Sequence, residues 1–227
     1  VAMALIELEK ITFEYNNIPA LKNISLKIEK GECVGIEGDN GSGKTTLIKL
    51  LNGLIFASSG SYFFDGKEIC SKSMKTELFA KEFHKRIGYV FQNPENQLFC
   101  GSVYDEIAFG PRQMGLSEEE VLQRCNDVLK LLGIEQLAER APYHLSGGEK
   151  KKTALACILS MNPEVLILDE PMNGLDRKSR EVLMQVLLSL KSAGKTLIIA
   201  THDEKLLSEI SDRIITICEN HSIEEGV

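Results

Sequence analysis

The stretch "GDNGSGKT", Gly38 to Thr45, fits the pattern G-x-x-x-x-G-K-S/T. Glycines at this spacing let a loop wrap around phosphate oxygens with its backbone N–H groups turned inward, and the helix start that follows adds a favourable field for an anion. Lys44 is then placed to reach the outer phosphates and the Thr45 hydroxyl to ligate Mg2+. A magnesium-bound triphosphate such as ATP needs an acidic partner, and "VLILDEP" supplies it. Asp169 ends an apolar run, where α/β sheets place their ligands, and is read as holding the metal directly or through water. Glu170 follows it and is read as polarising an attacking water.

A second stretch is stranger. "LSGGEKKK", Leu145 to Lys152, stands at the head of an apparent helix, "TALACILSM". That end of a helix carries partial positive charge and favours a cap and acids. Here stand two glycines, one acid and three successive lysines. The lysines oppose the helix dipole and the glycines weaken the helix. A glycine-rich helix start of this kind suits a bound anion. Each lysine individually fits either that reading or a solvated helix face.

The elements that must position these residues can be read from patterning. "ALIELEKITFEY" and "ISLKIEKGE" alternate apolar and polar residues as half-exposed strands do. "ECVGIEG" is a short apolar strand running into the glycine-rich turn, and "KTTLIKLLNGL" is the helix after it. "SGSYFFDGKEI" predicts two short strands around Asp65-Gly66, a hairpin signal. "SEEEVLQRCNDVLKLLGI" has helical periodicity, with Ser117 and Glu120 as a capping box and Gly133 as the stop. "PEVLILDEP", "KTLIIATHD" and "DRIITICE" are nearly continuous apolar runs, as in a parallel sheet covered on both faces, with helices such as "RKSREVLMQVLLSLKSAG" between them. Alternating strand and helix predicts one α/β domain over 1–227, strand-rich at the front, with a helical subdomain over roughly 93–160 inserted in the core.

Bulk properties narrow the partners. The 227 residues are 43% hydrophobic and 26% charged, enough for a full core. The net charge of -7 argues against broad electrostatic binding to DNA, RNA or anionic lipid, so no nucleic-acid partner is expected. No apolar run approaches the roughly 18–20 residues of a membrane span, and "VAMALIELEK" does not read as a signal peptide, so any membrane role is expected to come through a partner. Six scattered cysteines without a CxxC pair read as free thiols of a reducing compartment rather than as zinc ligands.

In their order along nearly the whole chain these motifs resemble the ATP-binding subunit of an ABC transporter. The resemblance implies a P-loop NTPase fold with a RecA-like, mainly parallel core, an antiparallel β subdomain at the N-terminus and an inserted helical subdomain. It implies that Tyr15, in "FEYNN", stacks on adenine, and that Asp39, Asn40, Gly41, Ser42, Gly43, Lys44, Thr45 and Thr46 line the ATP. Gln92, in "YVFQNPENQ", would touch metal and water and couple to a membrane subunit. By the same resemblance Thr45, Gln92 and Asp169 hold Mg2+, Glu170 is the general base, His202 in "ATHD" contacts the terminal phosphate, and "NGLD" ending at Asp176 is an interface loop. Ser146, Gly147, Gly148 and Glu149 would face the nucleotide of a second subunit, identical or paralogous, in a head-to-tail sandwich. Glu149 stands where many members have glutamine, and Met172 where threonine or serine is frequent.

The segment "FQNPENQLFCGSVYDEIAFGPRQMGLS" is most similar to the ATPases of energy-coupling-factor (ECF) transporters and of cobalt/nickel uptake systems. This implies a transmembrane coupling protein and a membrane substrate-binding subunit as partners, a place at the cytoplasmic face of the cell membrane, and import of a vitamin or a transition-metal ion. Relatives in this subgroup usually carry a further C-terminal segment beyond the equivalent of "ITICENHSIEEGV" that keeps the two ATPases together. A soluble ABC ATPase not coupled to transport is the alternative. A P-loop kinase would account for 38–45 and Asp169 but not for "LSGGE" or "NGLD".

Overall fold

β1 (Ile6–Tyr15) and β2 (Ile18–Ile28) form a long antiparallel hairpin. Its turn, Asn16-Asn17, has φ of 49° and 65°, the left-handed pair that a two-residue hairpin of matching twist requires. β4 (Ser59–Phe64) pairs with β1, and β5 (Lys67–Glu68) with β4 around Asp65-Gly66, as the sequence predicts. The sheet order is β2-β1-β4-β5. The buried face of β1 reads Ile6, Leu8, then Ile11, because a register shift between Leu8 and Ile11 changes the parity of the alternation.

The computed structural model describes residues 4–225. They fall into two compact units: the chain up to His84 together with the chain from Lys191 onward, and Lys85–Leu190. The first unit holds the antiparallel sheet and a parallel set, in which β3 (Cys33–Glu37) pairs with both β8 (Thr196–Ala200) and β9 (Arg213–Ile217). β10 (Ile223–Glu225) runs antiparallel to β9. All five residues of β8 are buried, as the unbroken apolar run requires. α1 (Lys44–Leu51) buries Leu47, Ile48, Leu50 and Leu51, and α7 (Glu204–Ile210) buries Leu206, Leu207 and Ile210. α2 (Glu77–Arg86) buries only Phe83, whose ring meets Phe64 edge-on at 5.4 Å.

In the second unit β6 (Ile87–Val90) and β7 (Val165–Asp169) are parallel, with Ile87 opposite Val165 and Val90 opposite Leu168. At their entrance Arg86 Nη2 lies 2.6 Å from Glu164 Oε2. The helices are α3 (Val103–Gln113), α4 (Glu118–Leu132), α5 (Gly147–Ser160) and α6 (Arg177–Ser192), the last ending just past the unit. α4 has the expected capping box of Ser117 and Glu120, and Gly133 closes it at φ 62°. α3 contains Pro111, which has no N–H to give to the Ile107 carbonyl one turn back. The Ser160 hydroxyl, at the end of α5 and 1% exposed, supplies that donor at 2.9 Å. A lost helix bond in α3 is thus replaced by a bond that pins α3 to α5.

Candidate functional site

The phosphate loop leaves the sheet where the parallel pairing directs it. Ile36 of β3 lies opposite Ala200 of β8, so Gly38 and His202 emerge from the same edge, each two residues further on. His202 Nε2 accordingly sits 3.1 Å from Asn40 Oδ1, joining residues 162 apart in sequence. Two glycines are sterically obligatory. At Gly38 (φ 143°) an added Cβ would fall 2.4 Å from the Ile217 carbonyl oxygen, and at Gly43 (φ 120°) 2.4 Å from that of Ala20. The position of a Cβ on Gly41 faces open space.

The loop closes on itself through Ser42 N–H, which donates to the Asp39 carbonyl at 3.1 Å. Lys44, largely buried, directs Nζ to the carbonyls of Gly38 and Asp39. Ser42 is 3% exposed, and its hydroxyl oxygen has no hydrogen-bond partner among the described residues. α1 begins at this loop with no side-chain cap and no acid in its first turn. Its first N–H groups therefore keep their positive field for an external anion. An orphaned hydroxyl and an uncapped helix start fit phosphate oxygens. Thr45 is exposed at the head of α1, and Thr46 behind it is buried. Tyr15, 44% exposed, stacks edge-on against Phe13 at 4.8 Å. It stands at the tip of the hairpin whose Ala20 abuts Gly43.

In the second unit Gln92 is exposed in the loop after β6. That loop is held by Gln97, whose side-chain oxygen accepts from Phe91 N–H at 3.4 Å, and by Glu95, paired with Lys150 of α5 at 2.5 Å. The helix headed by "LSGGEKKK" begins at Gly147, with Ser146 as its cap residue, and all three lysines lie inside it. Its start carries its own cap. Ser146 Oγ accepts from Glu149 N–H, and Glu149 Oε2 accepts from Ser146 N–H at 2.8 Å. These bonds hold the Glu149 carboxyl below the usual carboxylate range. Ser146 and Gly147 remain exposed, Gly148 and Glu149 partly so.

Asp169 ends β7 and Glu170 follows it; they are 3% and 5% exposed. Glu170 has φ 48°, a left-handed backbone rarely taken by a residue with a Cβ. No helix follows at once; the chain turns, with Asn173 N–H donating to the Glu170 carbonyl, and Asp176 Oδ1 then accepts from Ser179 N–H at the start of α6. Met172 is buried, consistent with an apolar side chain in that turn. Sequence reasoning missed Lys151. It is 7% exposed, and its Nζ donates to the Glu170 and Asn173 carbonyls, both at 2.8 Å. Burial pulls its pKa down, against the pull of the Glu170 and Asp169 carboxylates. Only the inward phase of position 151 on α5 could have indicated it.

These features define a P-loop nucleoside-triphosphatase fold. Residues 21–173 match the ABC transporter family, and the chain belongs to that family. The nickel import ATP-binding protein LarO of Lactiplantibacillus plantarum is 43% identical over 220 residues, 97% of this chain and 91% of LarO. The energy-coupling factor transporter ATP-binding protein EcfA of Methanosphaera stadtmanae is 44% identical over 223 residues, 98% of this chain and 79% of EcfA. Among solved structures, cbiO1 from Clostridium perfringens, part of the ABC transporter complex cbiONQ, matches with a TM-score of 0.85 and 37% identity over 99% of this chain and 89% of that one. The dimeric post-hydrolysis state of the ATP-binding cassette MJ0796, bound to ADP and Pi, matches with a TM-score of 0.87 and 29% identity over 97% of both chains. The protein is an ABC transporter ATPase subunit that binds and hydrolyses ATP.

Proposed function

We propose that this ATPase powers an importer of the ECF or cobalt/nickel type, taking up a vitamin or a transition-metal ion, through ATP-driven head-to-tail pairing with a second, identical or paralogous ATPase. The observation that carries the reading is identity above 40% across nearly the whole chain with proteins named for nickel import and for energy coupling. In this reading the chain is a single ABC ATPase domain with a helical subdomain over roughly 93–160. It works at the cytoplasmic face of the membrane, held there by a transmembrane coupling protein and a membrane substrate-binding subunit. Among the described residues no helix is long and apolar enough to cross a membrane.

The chemistry follows from the residues. Tyr15 stacks on adenine, and the 39–46 segment grips the phosphates. The Thr45 hydroxyl, the Gln92 side-chain amide oxygen and the Asp169 carboxylate are hard oxygen ligands of the kind Mg2+ takes; they would hold the ion, which would neutralise phosphate charge. Glu170 accepts a proton from the water that attacks the γ-phosphorus, and the bond to the ADP oxygen breaks. His202, held by Asn40, contacts the terminal phosphate. Ser146, Gly147 and Gly148 of the second copy donate to the same phosphate, and Glu149 orders them as their cap. ATP closes the pair and hydrolysis lets it open.

Light scattering on a Glu170→Gln variant tests the pairing. The mass should double on addition of Mg-ATP. A variant that stays single at high concentration with nucleotide bound would refute it. Fractionation of the source cells tests the coupling: the chain should sediment with membranes and bring a multi-spanning protein with it. Recovery solely in the soluble fraction, without a membrane protein, would leave the uncoupled ABC ATPase.

A further inference from the structure

We propose that Lys151 is a positioning residue for hydrolysis: its buried ammonium clamps the turn from Glu170 to Asn173 and so sets the aim of the Glu170 carboxylate. The inference rests on the reading of Glu170 as general base.

Three observations lead there. First, of the three consecutive lysines only Lys151 is buried; Lys150 reaches Glu95, and Lys152 is partly exposed. Burying an ammonium is costly unless its donors are used. Lys151 places two of them on main-chain carbonyls, those of Glu170 and Asn173, each at 2.8 Å. Second, those carbonyls belong to the two ends of one turn, closed by the 3.3 Å bond from Asn173 N–H to the Glu170 oxygen. The turn carries Glu170 at φ 48°, a conformation costing about 1–2 kcal/mol for a residue with a Cβ and kept only where the surroundings over-determine it. Rotation of Glu170 back to an ordinary backbone would swing its carbonyl away from Lys151 and its side chain with it. Third, Gly148, three residues earlier on the same helix face, meets the same segment: a Cβ there would lie 3.6 Å from Leu175 Cδ2 and 3.9 Å from the Gly174 carbonyl oxygen. The "SGG" start of α5 and the turn bearing the carboxylate are thus joined by contact and by hydrogen bonds. A displacement of the α5 start would reach Glu170 through Lys151.

The test compares Lys151→Met, which keeps length and removes the donors, with Lys151→Gln, which keeps a carbonyl-directed N–H. ATP affinity, kcat and thermal stability are measured for each, with Glu170→Gln alone and combined with Lys151→Met. A misaimed reacting group can cost on the order of 100-fold in rate. Lys151→Met should therefore lower kcat by about 10- to 100-fold with ATP affinity within about twofold of the parent. Lys151→Gln should recover part of the loss, and adding Lys151→Met to Glu170→Gln should lower turnover no further. If Glu170→Gln abolishes turnover while Lys151→Met and Lys151→Gln turn over like the parent, the clamp has no positioning role. If the loss appears in ATP affinity and melting temperature with kcat retained, Lys151 is structural and the proposal falls. If Lys151→Met does not fold, Lys151→Gln decides on the same split of kcat from affinity. Full turnover by Glu170→Gln would instead remove the general-base reading itself.

Discussion

Ser160→Ala isolates one bond whose absence the fold cannot repair. The Ile107 carbonyl in α3 would ordinarily accept from the residue four positions on, but that residue is Pro111, and the Ser160 hydroxyl stands in for it. The hydroxyl has one proton and two acceptors at 2.9 Å, Ile107 and Cys157, of which Cys157 belongs to its own helix. Removing it leaves a buried acceptor lacking this donor, worth about 1–3 kcal/mol, while the oxygen-sized gap adds little. For a chain of this size the melting temperature should fall by roughly 2–4 °C per kcal/mol, so a drop of about 2–12 °C is expected by circular dichroism. The sharper measurement is a cycle with Pro111→Ala, which returns an N–H to α3. With Pro111→Ala in place, Ser160→Ala should cost about 1 kcal/mol less than in the parent. Equal costs in the two backgrounds would refute the argument that the serine replaces the helix bond.

Two further expectations concern local strain and charge. His221 has φ 66°, and its Nδ1 donates to the Ser42 carbonyl of the phosphate loop at 2.8 Å. His221→Ala and His221→Gly both lose that bond, but only glycine relieves the backbone, so urea unfolding should find the alanine variant less stable by about 1 kcal/mol; the reverse order would contradict the strain. The cap of α5 should be acid-sensitive. The folded Glu149 pKa lies below its ordinary 4.5, so its contribution is full above that value and is lost as pH falls through the lower, folded one. The stability gap between the parent and Glu149→Gln should therefore be wider at pH 7 than at about pH 3.5, and a gap that widened on acidification would mean that the carboxylate does not make the cap.

What could be read in the sequence was what local chemistry decides. Ser117, Glu120 and Gly133 bound α4 because caps act within one turn, and Asp65-Gly66 makes its hairpin because the turn type demands left-handed residues. Gly38 to Thr45 was legible because a loop that cradles phosphate tolerates few other residues; the contacts that make Gly38 and Gly43 obligatory come from Ile217 and Ala20 and were not. The glycine-rich start of α5 at Ser146 to Gly148 was legible, but the burial of Lys151 was not, because it depends on the turn after β7 against which α5 packs. The left-handed backbone of Glu170 had no local signature at all. It is held by a lysine 19 residues away, and only tertiary structure brings the two together.

The outermost strand of the antiparallel sheet has a consequence for solubility. β2 is 11 residues long and lies at a sheet border, the kind of ribbon that can zip onto a like strand from another molecule. Its main chain is already engaged at two places. Lys22 N–H donates to the His221 carbonyl, and the Lys27 carbonyl accepts from Arg213. Pro19 has no N–H to offer, and the Lys27 side chain is tied to Glu7. Residues from the far end of the chain thus act as a selvedge, engaging two main-chain groups of a border that would otherwise be free to zip onto a like strand.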